Sequence, residues 1–271
     1  MPKNRNATEL FLSDVDGSLI TPDHRVTERT LRAIAALRAG EIQFTIVSGR
    51  PPKGMLKLVS ELGLTLPLAA FNGGMIVCPD LSVIEEHRLE PKITAKIIAT
   101  IEAQGAIAWL YRGMDWLLRD GSTARVRHEV RNVGFEPTVV DGFDSGLDAV
   151  KIVAVSDDPV QMARCEDEIH ADFGNLISAE LSQTYFLDVT HPKANKGEVV
   201  RSLSRILSIP AEHFATLGDM ANDISMFKES GLSIAMGNAS GEVNAAADFE
   251  TKRNDDEGFA YAVEVIILPQ K

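Results

Sequence analysis

Four aspartates of the sequence stand where they could share one cation. They come after apolar runs of the chain, at Asp14, Asp16, Asp219 and Asp223. In an open parallel sheet the ligand site lies beyond the carboxyl ends of the strands, so such side chains meet at one rim. Carboxylates gathered there repel each other unless a hard cation or shared protons neutralise them. One aspartate alone would be a turn or helix-cap residue, but four together predict a magnesium site, because Mg²⁺ prefers oxygen ligands.

Two further polar segments, Ser48-Gly49-Arg50 and Asn72-Gly73-Gly74, also follow apolar runs, and we expect them at the same rim. The sequence has no GxxxxGK[ST] loop and no GxGxxG turn, which argues against a nucleoside triphosphatase and a dinucleotide-dependent oxidoreductase. An EF-hand calcium loop starting at Asp14 is also excluded. Its sixth and twelfth positions, which need Gly and Glu, hold Leu19 and Arg25.

The composition is typical of a soluble globular protein, with 45% hydrophobic and 24% charged residues in a chain of 271. The net charge of -12 argues against binding a nucleic-acid backbone. The two cysteines, Cys78 and Cys165, form neither a disulfide framework nor a zinc motif. No run has the length of a signal-peptide core or a membrane span. We therefore expect a cytoplasmic monomer or small homo-oligomer that binds no nucleic acid and no membrane.

The elements that must position these residues follow from the alternation of short apolar runs and amphipathic stretches. In the first part of the chain it predicts strands at residues 9–15, 42–47 and 67–71, with helices at 53–62 and between the N-cap Thr27 and Gly40. Late in the chain it predicts helices at 197–207, 224–229 and 257–267 and strands at 214–217 and 232–236. This order predicts an α/β fold with a doubly wound, Rossmann-like parallel sheet.

Between these two halves the pattern changes. It predicts strands at residues 106–111, 116–119 and 150–155 and helices at 93–104, 123–133 and 160–173. We interpret this stretch as an inserted α+β domain, about the size of a small domain. The predicted division is a catalytic core of residues 1–82 and 188–271 and an inserted cap of residues 83–187.

Taken in order, these segments resemble the haloacid dehalogenase-like superfamily, and in particular its Cof-type phosphatases with a large α+β cap of type C2 (IIB). Four motifs carry the resemblance: Asp14-Val15-Asp16-Gly17-Ser18-Leu19, Ser48-Gly49-Arg50, Lys196-Gly197 and Gly218-Asp219-Met220-Ala221-Asn222-Asp223. Secondary marks are Asn72-Gly73-Gly74, Met236-Gly237-Asn238-Ala239 and Asn254-Asp255-Asp256-Glu257-Gly258. The resemblance runs nearly end to end. The family usually has Thr at Ser18, and because the hydroxyl is kept we expect activity to remain.

The resemblance implies a magnesium-dependent phosphatase. Asp14 would be the nucleophile that forms an aspartyl phosphate. Asp16 would be the general acid and base, and its backbone carbonyl would also bind the metal. Asp219 and Asp223 would complete the magnesium site with Asp14. Lys196 would be catalytic, although the simpler interpretation of this residue is a solvated lysine at a helix start.

The resemblance also implies a set of phosphate and substrate contacts, namely Ser48, Gly49, Arg50, Asn72, Lys196 and Asn222. The oxygens of a transferring phosphoryl group need positive and N–H donors around them, and Ser48, the Gly49 N–H and Lys196 are the candidates. Arg50 could orient the substrate, with pairing to a neighbouring acid as an equal alternative. Asn72 could line the cleft or support its turn.

The cap would choose the substrate and exclude water. Conceivable contacts there are Trp109, Tyr111, Arg112, Trp116 and Arg125, although aromatic residues of alternating strands more often pack in a core. By analogy with this branch the partner is a small phosphorylated metabolite, first a sugar phosphate, with pyridoxal phosphate and flavin mononucleotide open. Two alternatives stay open: a phosphomutase or phosphotransferase with the same intermediate, and a non-enzymatic regulator that binds phosphometabolites.

Overall fold

The computed structural model describes residues 8–144 and 146–268. Its strands are, in chain order, β1 Leu10–Asp14, β2 Gln43–Val47, β3 Leu68–Ala70, β4 Met75–Val77, β5 Val83–Glu86, β6 Ile107–Arg112, β7 Asp115–Leu118, β8 Thr138–Val139, β9 Lys151–Val155, β10 Ser178–Gln183, β11 Phe186–Thr190, β12 Phe214–Gly218, β13 Leu232–Ala235 and β14 Phe249–Glu250. Its α-helices are α1 Glu28–Ala39, α2 Pro52–Leu62, α3 Pro91–Ala103, α4 Ala124–Val133, α5 Pro159–Phe173, α6 Lys196–Leu207, α7 Ile224–Glu229, α8 Gly241–Ala246 and α9 Gly258–Tyr261. No helix in the described part of the chain is long and apolar enough to cross a membrane.

The first sheet has eight strands in the order β14-β13-β12-β1-β2-β3-β4-β5. From β14 through β3 all neighbours are parallel, and β4 and β5 are added antiparallel at one edge. Strand β1 lies between β2 and β12, so the late strands continue the sheet that the early strands begin. The predicted α/β fold with a parallel-sheet core is confirmed.

The two faces of this sheet are covered by different helices. Successive side chains of a strand point to opposite faces, and β1 shows the consequence directly. Phe11 lies in one core with Ile34 of α1, and its ring centroid is 5.5 Å from that of Phe259 in α9. Leu12 lies in the other core with Val200 of α6. Burial on both faces is why the strands read as apolar runs rather than as alternating ones.

Capping side chains define where two of these helices begin. The hydroxyl of Thr27 accepts a hydrogen bond from the Thr30 N–H at 3.1 Å, as its predicted N-cap role requires. The side chain of Asn195 accepts from the Glu198 N–H at 2.9 Å and caps α6. Lys196 is therefore the first residue of α6, beside the carboxyl ends of the parallel strands.

The second sheet has six strands in the order β10-β11-β9-β6-β7-β8 and is antiparallel apart from the β7–β8 pair. One face packs on α3 and α5, where Leu110, Ile152 and Leu187 form a buried cluster. On the opposite face lie Trp109 and Tyr111, which belong to the same hydrophobic cluster as Phe11 of the first sheet. The sheet lies between β5 and α6 in the chain, so the α+β insertion is present.

The strand pairing differs from the predicted boundaries of the insertion. Val83–Glu86 pairs with β4 in the first sheet, because a turn closed by the Cys78 N–H and the Ser82 carbonyl at 2.9 Å returns the chain to that edge. At the other end β11 continues to Thr190 beside β9. The apolar pattern did not reveal this hairpin. The division of the chain into a core and a cap domain stays a prediction.

Candidate active site

Three carboxylates with little exposure meet at the carboxyl ends of two neighbouring parallel strands. Asp14 is the last residue of β1, Asp219 directly follows β12, and Asp223 ends the helical turn Ala221–Asp223. One oxygen of each lies within 4.8 Å of the others. The structure thus brings together three of the four predicted aspartates. The carboxylate of Asp16 is not part of this cluster.

Lys196 supplies a positive charge to the cluster. Its Nζ donates to Oδ1 of Asp14 at 2.6 Å and to Oδ1 of Asp223 at 2.5 Å. The side chain is only 2% exposed, so this is not the solvated lysine of the simpler interpretation. A cation at a helix N-terminus is mildly disfavoured by the helix dipole. The two carboxylates provide the opposing, larger interaction.

Two glycines permit the close approach of these loops. Gly17 has φ +85°, and a Cβ built on it would lie 2.3 Å from Oδ2 of Asp219. A Cβ on Gly218 would lie 2.3 Å from Cγ of Asp223. A side chain at either position would collide with a carboxylate of the cluster. The glycines of the motifs therefore have a steric reason.

Hydrogen bonds orient the two late carboxylates. Oδ2 of Asp223 accepts from the backbone N–H groups of Asp219 and Met220 at 2.9 and 2.8 Å. The hydroxyl of Ser18 donates to Oδ1 of Asp219 at 3.0 Å. Nδ2 of Asn238 donates to Oδ2 of Asp219 at 3.2 Å and to the Gly17 carbonyl at 2.9 Å. Ser18 therefore uses the hydroxyl that it shares with Thr.

Sequence reasoning assigned no role to Asn238, nor to Asn254, which supports it. Oδ1 of Asn238 accepts from the Asn254 N–H at 3.0 Å, and Nδ2 of Asn254 donates to the Ile20 carbonyl at 3.0 Å. These bonds connect the segment after β13 and the turn before α9 with the loop after β1. Both residues lie in the secondary motifs that resemble the family. That resemblance was the available indication that they belong to the site.

Burial dominates the acid–base properties of the cluster. It raises the pKa of Asp14 from an ordinary 3.8 to about 8, although the neighbouring Lys196 opposes this shift. It raises the pKa of Asp219 to about 6, with the Asp223 charge adding to the effect. For Lys196 burial lowers the pKa, but the carboxylates of Asp14 and Asp223 outweigh burial and the net shift is upward. Without a metal Asp14 therefore keeps its proton near neutral pH, while Lys196 stays charged.

The chemistry of the donor set fits Mg²⁺. All members of the cluster offer carboxylate oxygens, and neither histidine nor cysteine takes part in it. Mg²⁺ is a hard cation that prefers such ligands. A divalent cation would neutralise negative charge that one lysine leaves unbalanced, and its binding would release the protons that burial retains.

Asp16 and Arg50 form a separate ion pair beside the cluster. Nε of Arg50 donates to Oδ2 of Asp16 at 2.8 Å, and Nη2 donates to Oδ1 at 2.6 Å. Asp16 lies in the turn Val15–Leu19, and Arg50 follows β2, the neighbour of β1. Of the two interpretations given for Arg50, the structure shows the pairing with an acid, and this acid is the predicted general acid.

The remaining predicted contacts also lie at this rim. The Ser48 hydroxyl accepts the Arg50 N–H at 3.1 Å, which leaves its own proton free to donate. Asn72, with φ +55°, donates its N–H to the Ser48 carbonyl at 2.8 Å and so fixes the two loops to each other. Oδ1 of Asn222 is buried without a hydrogen-bond partner among the described residues. All three, with Gly49, line one cleft.

This cleft of about 680 Å³ lies between the rim that carries the carboxylate cluster and the second sheet. From the second sheet and α4 its lining includes Trp109, Tyr111, Glu129, Asn132, Lys151 and Asp188. Trp109 and Tyr111, two of the conceivable cap contacts, line it but are also packed in a core. Arg112 instead pairs with Asp148, and Arg125 pairs with Asp157. Glu129, Lys151 and Asp188 are distant in the sequence from the motifs of the rim that they face across the cleft. Local sequence patterns therefore gave no signal for them.

Comparison with known proteins gives a consistent result. Residues 11–263 match the family model described as haloacid dehalogenase-like hydrolase. A protein of Haemophilus influenzae named "Putative phosphatase" is 30% identical over 260 residues, which cover 93% of this chain and 95% of that protein.

Solved structures show the same architecture. A haloacid dehalogenase-like hydrolase from Bacteroides thetaiotaomicron has a TM-score of 0.87 and 25% identity, with 96% of this chain and 99% of that chain covered. A protein described as a subclass IIB sugar phosphatase has a TM-score of 0.82 and 23% identity, with 95% and 98% covered. The second likeness supports the fold alone.

Proposed function

The chain belongs to the haloacid dehalogenase-like hydrolases, and on that premise we propose that it is a magnesium-dependent phosphatase of small phosphate monoesters that works through an aspartyl phosphate on Asp14. The observation that carries the proposal is the cluster of three carboxylates at the ends of β1 and β12, two of which, Asp14 and Asp223, are bridged by buried Lys196. A protein that only binds phosphate needs neither a nucleophile nor a general acid, and the presence of Asp14 and Asp16 at one cleft supports the catalytic role.

The first half-reaction transfers the phosphoryl group to Asp14. Lys196 holds Oδ1 of Asp14, so Oδ2 is the oxygen that attacks phosphorus. The bond between phosphorus and the ester oxygen breaks, and its electron pair stays on that oxygen. Asp16 gives this oxygen a proton, so the leaving group departs as an alcohol. Mg²⁺ held by Asp14, Asp219, Asp223 and the Asp16 carbonyl would offset the charge of the phosphoryl oxygens.

The second half-reaction restores the enzyme. Asp16, now a carboxylate, takes a proton from a water molecule, whose oxygen attacks the phosphorus of the aspartyl phosphate. The bond between phosphorus and Asp14 breaks, which releases inorganic phosphate. The Ser48 hydroxyl and the Gly49 N–H, which has no acceptor among the described residues, donate to phosphoryl oxygens in both steps. Asn222, whose Oδ1 is buried without a hydrogen-bond partner in the described part of the chain, lines the same cleft.

The second sheet acts as the cap that contacts the leaving group. The volume of the cleft, about 680 Å³, suits a small metabolite, since ligand pockets typically enclose about 300–1,000 Å³. Polar cap residues such as Lys151 and Asp188, paired at 2.5 Å, face this cleft and favour a leaving group that can form hydrogen bonds. A sugar phosphate is therefore our first candidate, in line with the name of one structural relative.

The decisive experiment measures phosphate release from a panel of sugar phosphates, pyridoxal phosphate, flavin mononucleotide and an aryl phosphate, with Mg²⁺ and with chelator. We expect turnover that requires Mg²⁺ and that Asp14→Asn lowers by at least about 10³-fold, because the variant has lost its nucleophile. Asp167→Asn, at an exposed position of α5, is the charge-matched control and should keep full activity. A folded protein that binds Mg²⁺ but releases no phosphate from any ester would contradict the proposal.

A further inference from the structure

Arg50 binds Asp16, the predicted acid–base residue, through two nitrogens of its guanidinium group. Nε and Nη2 form a two-pronged contact with both oxygens of Asp16, at 2.8 and 2.6 Å. The arginine side chain is 16% exposed and the aspartate side chain 46% exposed. His24 lies next to this ion pair, with its Nδ1 3.2 Å from Nη2 of Arg50 and 3.8 Å from Oδ1 of Asp16. All three residues line the catalytic cleft.

This arrangement makes Arg50 a poor candidate for binding the phosphoryl group. The Nε–Nη2 edge is one of two guanidinium edges that can bind a carboxylate or a phosphate in two-pronged fashion, and Asp16 already occupies it. The other edge shares Nη2, which donates to Asp16 and also lies 3.2 Å from Nδ1 of His24. Two other donors suit the phosphoryl oxygens: the Ser48 hydroxyl, which accepts a hydrogen bond but donates none among the described residues, and the Gly49 N–H, which has no acceptor among them. A phosphate bound to the same edge would have to displace Asp16 from it.

We propose that Arg50 is a positioning residue that acts on the reaction through Asp16, by holding its carboxyl group toward the ester oxygen, and not through the phosphoryl group. This inference rests on the proposed function. A carboxylate has about four lone-pair sites, and the two-pronged contact uses one on each oxygen. The remaining sites face the cleft and serve the leaving oxygen in one half-reaction and the water in the other. Arg50 is anchored in turn, because its N–H donates to Ser48 at 3.1 Å and its carbonyl accepts the Phe71 N–H at 3.0 Å.

The two roles differ in how they depend on the leaving group. An alkoxide is a poor leaving group and needs a proton from Asp16 as the bond breaks. A nitrophenolate leaves well without one. A residue that positions the acid therefore affects alkyl esters far more than aryl esters in the first half-reaction, whereas a residue that binds the phosphoryl group affects both alike.

The experiment compares single-turnover release of the leaving group from a sugar phosphate and from p-nitrophenyl phosphate, with Mg²⁺, in wild type, Arg50→Lys and Arg50→Ala. We expect both variants to release the sugar about 10- to 100-fold more slowly, because a misplaced catalytic group loses up to about that factor, and to release nitrophenolate within about threefold of wild type. Inhibition by inorganic phosphate should not change. Arg50→Lys keeps the charge without the two-pronged edge and guards against a variant that fails to fold.

Arg29→Lys is the matched control, because Arg29 makes the same kind of two-pronged contact with Glu264, at 3.2 and 2.6 Å, away from the cleft. It should behave as wild type with both esters. Equal losses on the two esters, together with weaker inhibition by phosphate, would overturn the inference and assign Arg50 to the phosphoryl group. Unchanged rates on both esters would also overturn it. If wild type turns over neither ester, the proposed function itself fails and the inference falls with it.

Discussion

Lys196 is the residue on which the charge balance of the site depends. Its Nζ bridges Asp14 and Asp223 and has almost no contact with solvent. Removing one partner of a buried ion pair leaves an uncompensated charge, which is strongly destabilising. The lysine therefore keeps the Asp14 carboxylate oriented and also allows three carboxylates to stay close together when no cation is bound.

The raised pKa values predict an unusual pH dependence of stability in the metal-free protein. Burial raises the pKa of Asp14 to about 8 and that of Asp219 to about 6, from 3.8. Between about pH 4 and pH 8 the folded protein therefore holds protons that the unfolded chain has released. The free energy of unfolding must fall as the pH rises through this window. We expect urea unfolding in chelator to show a lower midpoint at pH 8 than at pH 5.

Two comparisons isolate the contribution of the cluster from that of other groups. Asp14→Asn removes the larger of the two shifts and should flatten the decline. Saturating Mg²⁺ should flatten it in wild type as well, because a cation replaces the protons. A wild-type midpoint that falls no more steeply than that of Asp14→Asn would show that the buried carboxylate does not titrate in this window.

At the scale of the elements, the turn Val15–Leu19 sets how close β1 and β12 can bring their carboxylates. Gly17 in this turn has φ +85° and no room for a Cβ beside Asp219. We expect Gly17→Ala to displace the Asp219 carboxylate and to lower Mg²⁺ affinity and activity by about 10- to 100-fold, as changes around metal ligands do. Mg²⁺ titration and phosphate release measure the two effects.

Gly134 offers a control that separates collision from backbone strain. It has φ +79° at the end of α4, and a Cβ there would meet no atom of the described residues within 4 Å. Gly134→Ala should lose about 1–2 kcal/mol of stability from the left-handed backbone, as Gly17→Ala does, but keep its metal affinity. If the two variants lose metal affinity equally, the steric argument for Gly17 is wrong.

The sequence predicted most elements around the site, because their signals are local. The N-cap at Thr27 and the apolar runs of β1, β2 and β12 each depend on residues that are neighbours in the chain. The pairing of β5 with β4 did not emerge, although the turn between them contains Pro79-Asp80, because no Asn-Gly or Asp-Gly pair marks a tight hairpin there. The placement of Asp14 and Asp219 could be predicted because parallel strands share an edge.

Contacts between distant loops could not be predicted in the same way. Arg50 is 34 residues from Asp16, and nothing in either motif states that their side chains meet. The same holds for Asn238, which reaches the Gly17 carbonyl across 221 residues. Such contacts depend on side-chain directions at the ends of strands, and a motif records only which residue types are present.

For the whole molecule, the important relation is between the second sheet and the catalytic rim. Tyr111 of β6 is 3% exposed, and its ring centroid lies 5.3 Å from that of Phe71. Phe71 directly precedes Asn72 at the rim. Tyr111 also stacks on Trp116 with ring centroids 5.8 Å apart. This aromatic contact connects the second sheet with the rim at the wall of the cleft.

Tyr111→Ala should therefore affect both stability and substrate binding. Loss of a buried aromatic ring lowers the free energy of unfolding by about 3–5 kcal/mol, and loss of the wall should raise the KM of the best ester. Tyr111→Phe keeps the ring and should change neither strongly. Phe173→Ala removes a buried ring of α5 on the far face of the second sheet, so it should lower stability while KM stays at the wild-type value. Urea unfolding and steady-state kinetics test these variants. An equal rise of KM in Tyr111→Ala and Phe173→Ala would mean that the KM depends on the general stability of the second sheet and not on the contact between Tyr111 and Phe71.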